Sequence, residues 1–258
     1  MHVNWRPSTT KVFLPLVTFA ALTLLWTLVW QARVFHESAL PSPAAVGRAF
    51  AEEIRNGRLA TDLTASLFRV TLGFFLAVAL GMPVGLWMGR SLRARLALLP
   101  PINFFRNLSP LAWIPFAILW FGVGDSPAVF LIVMAGFFPV AVATMAATAS
   151  IPEVYFRVAE AHGLRGIDRL LQVTLPAIMP EVITTLRVTA GFCWVVVVAA
   201  EMIAGRDGLG FAVMDSRNGL RTDLLVAEMI VIGAIGVLID RVLMRLTRIP
   251  SVRWAYER

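Results

Sequence analysis

Residues 12 to 30 read VFLPLVTFAALTLLWTLVW, an apolar run without one charged side chain. Wound as a helix, such a run is about long enough to cross the hydrocarbon core of a bilayer. Comparable runs recur along the chain, and no other feature restricts the fold as much. Composition agrees: 58% of the residues are hydrophobic and 15% charged, with a mean hydropathy of +0.76. Soluble domains carry about 25% charged residues, so this chain has too little polar surface to cover itself in water. No polar stretch is long enough for a second core, and one domain is expected over residues 1–258.

The runs predict an all-α membrane protein with six spans, near 12–30, 66–89, 96–122, 127–149, 178–204 and 224–244. Arg6 and Lys11 precede the first run, as in a secretory leader. The run exceeds a leader's apolar segment of roughly 7–15 residues and no clean small-x-small site follows, so it is read as span one. Between spans one and two, residues 44–57 have helical periodicity with Val46, Ala49, Phe50 and Ile54 on one side. That pattern suits an amphipathic helix lying at the membrane interface.

Two spans are irregular. Span two carries Gly81, Gly85 and Gly89 at every fourth residue, a spacing that lets a neighbouring backbone approach. Span three, LALLPPINFFRNLSPLAWIPFAILWFG, holds four prolines and Arg106. Each proline removes a backbone donor, and a broken helix survives in lipid only beside protein or a watery cavity.

Arginine placement orients the chain. Arg6, Lys11, the RSLRAR loop, the segment after span four and the C-terminal tail share one face, and that face is assigned to the cytoplasm with both termini. On the other face Arg33, Arg48, Arg55, Arg58, Arg206, Arg217 and Arg221 mingle with the loop acids. The same loop arginines account for the formal charge of +7, so nucleic acid is not a required partner. Cys193 stands alone and His2, His36 and His162 are scattered, which excludes an intrachain disulfide and argues against a metal site.

Residues 151–175 break the hydrophobic pattern between spans four and five. Ile167, Leu170, Leu171 and Leu175 follow helical spacing, opposite Arg165, Asp168, Arg169 and Gln172. Gly163 and Gly166 suit the meeting of two short helices, and Pro176 suits the first turn of the next one. Force applied to such a handle passes directly into the bundle.

The chain has no place to hydrolyse ATP, because a P-loop needs Gly-x-x-x-x-Gly-Lys-Ser/Thr and its only lysine is Lys11. It also lacks Gly-x-Ser-x-Gly, His-Glu-x-x-His and paired carboxylates on a span face. Charges inside spans are the remaining candidates, since burying them in lipid is costly. Arg106, Arg187 and Glu201 read either as a translocation path for a small anion or as interhelical pairs, with snorkelling toward the nearer interface a further reading for Arg187. Glu228 and Asp240 read as structural, pairing with an arginine of a neighbouring span.

Residues 151–176 resemble the coupling segment of permease subunits in bacterial ATP-binding-cassette importers, the binding-protein-dependent inner-membrane component family. The family pattern is Glu-Ala-Ala, three residues, Gly, nine residues, Ile-x-Leu-Pro. Gly163, Val173, Leu175 and Pro176 match it, while Arg157, Val158 and Ala159 stand where Glu-Ala-Ala is expected. Glu153 and Glu160 are the candidates to replace the missing acid. LPSP, RVTLGF, LSPLAWIPFAILWFGVGD, TTLRV, AAEMI and GLGFAV extend the resemblance over nearly the whole chain, toward the branch importing nitrate, sulfonates, taurine or bicarbonate.

The resemblance implies a type I importer permease in a bacterial inner membrane, with a cytoplasmic coupling helix between spans four and five. It implies a second copy of the chain, two copies of an ATPase that binds ATP and Mg, and an extracytoplasmic binding protein. No cofactor is expected in this chain. The coupling residues implied are Glu153, Arg157, Ala159, Glu160, Gly163, Val173, Leu175 and Pro176. The alternatives are the same permease for a small organic nutrient, such as a vitamin precursor or aromatic acid, and an ion-coupled secondary transporter using Glu201 with Glu228.

Overall fold

The computed structural model describes residues 9–36 and 38–245, and among these every regular element is helical. Both chain ends, with Arg6, His2 and most of the basic tail, lie outside the described residues. Contacts divide the fold into two compact units, one built from residues up to Leu59 with Val213–Ile230, the other from Ala60–Ala212 with residues from Val231 onward.

The first unit holds α1 (Thr9–Gln31) and α2 (Pro43–Arg55), and the Trp26 indole donates to the Pro41 carbonyl at 3.1 Å. The Ser42 hydroxyl caps α2 by accepting from the Ala45 amide, and Pro43 fills the first turn, where a missing donor costs nothing. Val46, Ala49 and Glu53 are buried, whereas Phe50 and Ile54 are exposed. The inward stripe of α2 is therefore narrower than its sequence suggests. Arg58 pairs with Asp215 at 2.5 Å, and Arg221 pairs with both Asp223 and Glu52. Those carboxylates, Asp223 foremost, hold the Arg221 guanidinium above its ordinary value.

Helix α3 (Arg58–Arg90) begins in the first unit and runs through the second, which also contains α4 (Leu92–Asn107), α5 (Ile114–Phe121) and α6 (Asp125–Ala149). After these come α7 (Glu153–Ala161), α8 (Gly166–Arg169) and α9 (Leu175–Ala204). Helices α10 (Leu209–Asn218) and α11 (Thr222–Met244) follow. Among the described residues, five helical stretches are long and apolar enough to cross a membrane.

The expected third span is not among them, for a local reason. Ser109 precedes Pro110 and takes an extended ψ of 129°, as residues before proline tend to do. The helix stops at Asn107, turns through a 3₁₀ segment at Pro110–Trp113 and restarts as α5. Pro100 and Pro101, by contrast, lie inside α4 without ending it.

The glycines of α3 face α6. A Cβ at Gly81 would stand 2.9 Å from the Phe137 carbonyl oxygen, at Gly85 2.5 Å from that of Ala141, and at Gly89 2.5 Å from the Thr148 Cβ. Gly73 and Ala77 continue the same stripe, Ala77 meeting Gly136 of α6. Small residues every fourth position let the two backbones touch, and packing at that range replaces the hydrophobic drive that lipid does not supply. Helix α9 also packs against α6, and Cys193 reaches Gly136 beside Ala77. There Cys193 is buried as a packing residue and Trp194 donates to the Ile232 carbonyl of α11.

Candidate functional site

The segment between α6 and α9 is two helices around a glycine turn. Helix α7 ends when Gly163 takes φ +76°, the left-handed conformation that glycine adopts at least cost. The Leu164 amide then donates to the Ala159 carbonyl and the Gly163 amide to that of Glu160, both at 2.9 Å. This is the paired closure of a Schellman motif. The chain restarts at Gly166, φ +52°, and continues without interruption into α9.

Pro176 does not mark a fresh start. It stands second in α9, preceded by a π turn over Leu170–Thr174 in which the Leu175 amide donates to the Leu170 carbonyl. Proline lacks an amide donor and its ring crowds the carbonyl four residues back. The widened turn relieves that crowding and keeps the helix continuous. The second short helix is thus the root of span five.

The family-pattern residues divide by exposure. Glu153, Arg157, Glu160 and Gly163 are exposed, Ala159 is buried, and Leu175 packs with Ala147, Ile178 and Val182. Ala159, Val173 and Pro176 line a cleft of about 600 Å³ with Tyr155 and Val158. The apolar stripe expected on the second helix is split. Thr174 turns inward, while Ile167 and Leu171 are 69% and 55% exposed. Val154, Tyr155 and Val158 are exposed on α7 as well. A segment flanked by two spans thus presents apolar side chains outward.

The in-span charges occupy three different settings. Arg106 lies at the break after α4, beside a cavity of about 270 Å³ that Asn107, Ser109, Phe105, Phe138 and Phe192 also line. Arg187 makes a two-bonded pair with Asp240 of α11, at 2.5 and 2.8 Å. Glu201 is buried in a polar cluster at the opposite end of α6 and α9 from the α7–α8 turn. Neither Arg187 nor Glu201 lines the cavity at Arg106. In the first unit Glu228 is buried and accepts from Ser216.

Arg69 is the centre of the Glu201 cluster. Its guanidinium donates to Glu201 at 2.8 Å, to Asp125 at 2.6 Å, to the Asp207 carbonyl at 2.9 Å and to the Asp207 carboxylate. Ser66 donates to the second Glu201 oxygen and accepts from the Leu209 amide, while Asp62 accepts from the Gly208 amide. The Gly210 amide also donates to Glu201. Helix α10 therefore has its first amides capped by side chains of α3 and α9. Gly208 is required here, since its φ is +101° and a Cβ would lie 2.5 Å from the Glu201 carboxyl carbon.

Arg69 escaped the list of in-span charges, although it falls within the predicted second span. The signal was present: Asp62, Ser66 and Arg69 recur at helical spacing, a polar stripe opening an apolar helix. Among the described residues, no three His, Cys, Asp or Glu side chains gather in a way that could hold a metal ion.

Residues 77–253 match the family described as binding-protein-dependent transport system inner membrane component. The chain belongs to this family. The permease is 36% identical over 253 residues to the taurine transport system permease protein TauC of Escherichia coli, covering 96% of this chain and 92% of that one. It is 30% identical over 253 residues to the bicarbonate transport system permease protein CmpB of Synechococcus elongatus, with 92% and 89% covered. An inward-facing structure of the MetNI methionine ABC transporter superposes with a TM-score of 0.62 at 20% identity, covering 71% of this permease and 92% of that chain. That likeness establishes a shared fold.

Proposed function

We propose that this permease is the membrane subunit of an ATP-driven importer for small oxyanions in a bacterial inner membrane. It works as a homodimer, fed by an extracytoplasmic binding protein and driven by two copies of a cytoplasmic ATPase that binds ATP and Mg. The observation that carries the reading is the exposure of Val154, Tyr155, Val158, Ile167 and Leu171 on a turn tied at both ends to spanning helices. Exposed apolar side chains clustered on a polar segment mark a protein contact. Because α8 is continuous with α9, a push on this turn tilts a spanning helix rather than bending a loop. Glu153 and Glu160, both exposed on α7, offer the ATPase its acidic contact.

The substrate class rests on Arg106 together with the taurine and bicarbonate relatives. A guanidinium beside a cavity suits an oxyanion, because its fork of donors matches two oxygens. The aromatic wall of Phe105, Phe138 and Phe192 favours an anion with a small organic body. Arg187 and Glu201 then hold helices together and leave the path to Arg106.

Uptake into vesicles carrying the permease, its ATPase and its binding protein tests the reading. ATP-dependent uptake of an organic sulfonate or bicarbonate is expected, with none when the ATPase is omitted. Uptake driven by an ion gradient alone would overturn it. Sidedness is read independently with Glu160→Cys, since the native Cys193 is buried. Labelling only from the outside would remove the motor contact.

A further inference from the structure

Two guanidinium groups gather on one aromatic ring where α3 ends and α9 approaches. The Arg90 guanidinium carbon lies 5.5 Å from the centroid of the Phe156 ring, and that of Arg169 lies 6.0 Å from the same point. A ring face attracts a cation at such distances. It does not neutralise two, and the two like charges repel each other. Among the described residues neither has a carboxylate at ion-pair distance, unlike Arg69 and Arg187. The Nε of Arg169 is also buried without a protein acceptor. Buried donors in folded proteins almost always have one. The arrangement is a receptor for an anion.

Depth in the membrane narrows the choice of anion. Arg90 is the last residue of the apolar helix Arg58–Arg90, and Arg169 closes the short helix that leads into α9. Both therefore stand where hydrocarbon gives way to headgroups. Trp87, one turn before Arg90, is 59% exposed and Leu92 is 61% exposed. Tryptophan favours this interface. Two cations beside outward apolar side chains fit a molecule with an anionic head and hydrocarbon tails.

We propose that Arg90 and Arg169, gathered on the Phe156 ring, bind the phosphate of an anionic phospholipid from the leaflet at that end of the permease. Its acyl chains lie along Trp87 and Leu92. The bound lipid ties the end of α3 to the α7–α8 turn. The site stands on its own geometry and does not require any particular substrate or motor.

Native mass spectrometry of the full chain in detergent tests this, with phosphatidylglycerol or phosphatidylcholine added separately. At about fivefold per basic residue, Arg90→Gln/Arg169→Gln should weaken phosphatidylglycerol retention about 30-fold. Arg90→Lys/Arg169→Lys should keep most of it, and Phe156→Leu should fall between. If the double variant fails to fold, the exposed Arg90→Gln alone should show the fivefold loss. Three results would each overturn the assignment. One is equal retention of the two lipids by the unaltered chain. Another is full displacement of phosphatidylglycerol by equimolar inorganic phosphate, which would mark a free-anion site. The last is unchanged lipid retention in variants that no longer hold an ATPase subunit, which would place a protein carboxylate there.

Discussion

Arg69 and Glu201 lie 132 residues apart in sequence, on α3 and α9, and form a 2.8 Å ion pair with both side chains buried. Asp125 at the start of α6 shares the same guanidinium. One side chain therefore joins three helices at the end of the second unit farthest from the α7–α8 turn.

Removing Arg69 should be among the most damaging single changes. Arg69→Ala leaves the buried Glu201 carboxylate without its guanidinium, a loss of about 3–5 kcal/mol by analogy with broken buried pairs. Arg69→Lys should rescue little, because one ammonium cannot span the fork of partners. Glu201→Gln should be milder, since Asp125 and Asp207 still hold the guanidinium. Thermal unfolding of detergent-purified variants checks the order, and equal midpoints for Arg69→Ala and Glu201→Gln would refute it.

Gly85→Ala should lower stability by about 1–3 kcal/mol, as overpacking does elsewhere. Its Cβ would meet the Ala141 carbonyl oxygen and the Thr144 Cβ, neither of which can swing aside. Gly47→Ala is the control, because its Cβ meets nothing within 4 Å and alanine favours α2. The same unfolding assay should show Gly47→Ala unchanged or stabilised.

Gly163 separates backbone conformation from surface charge. A Cβ there has open space, so the constraint is the positive φ alone. Asparagine tolerates that conformation, and Gly163→Asn should transport near the unaltered rate. Gly163→Asp has the same shape but places a carboxylate beside the exposed apolar face. It should abolish uptake while membrane insertion persists. Matching uptake by the two variants would remove the docking face from the mechanism.

Arg106→Gln should reduce uptake at least tenfold and leave the unfolding midpoint unchanged, since its guanidinium borders a cavity. Arg187→Asp should disturb assembly, and adding Asp240→Arg should restore it by re-forming the pair. Restored assembly with full uptake would confirm that Arg187 positions helices. A normal rate for Arg106→Gln would empty the path of its only assigned residue.

Much of this was legible before any coordinates. The apolar runs specified helices because lipid offers no partner for backbone groups. Four prolines marked the third span as broken, and glycines at every fourth residue marked a packing face. These are local rules, and each needs only a few neighbouring residues. Arg69 was missed because its position near the start of an apolar helix says nothing about Asp125, Glu201 and Asp207, which reach it from elsewhere in the chain. The split stripe of Ile167 and Leu171 was missed because burial depends on which side α6 and α7 cover.

From sequence alone follow the membrane as solvent, the helical class, the irregularity of the third span and the family to which the chain belongs. Folding decided which in-span charges are neutralised and which stand beside a cavity. Hydrophobic period and backbone geometry are set by residues close in sequence. The partner of a buried charge is set by distance in space, and only the packed chain brings Arg69 to Glu201 or leaves Arg90 and Arg169 sharing Phe156.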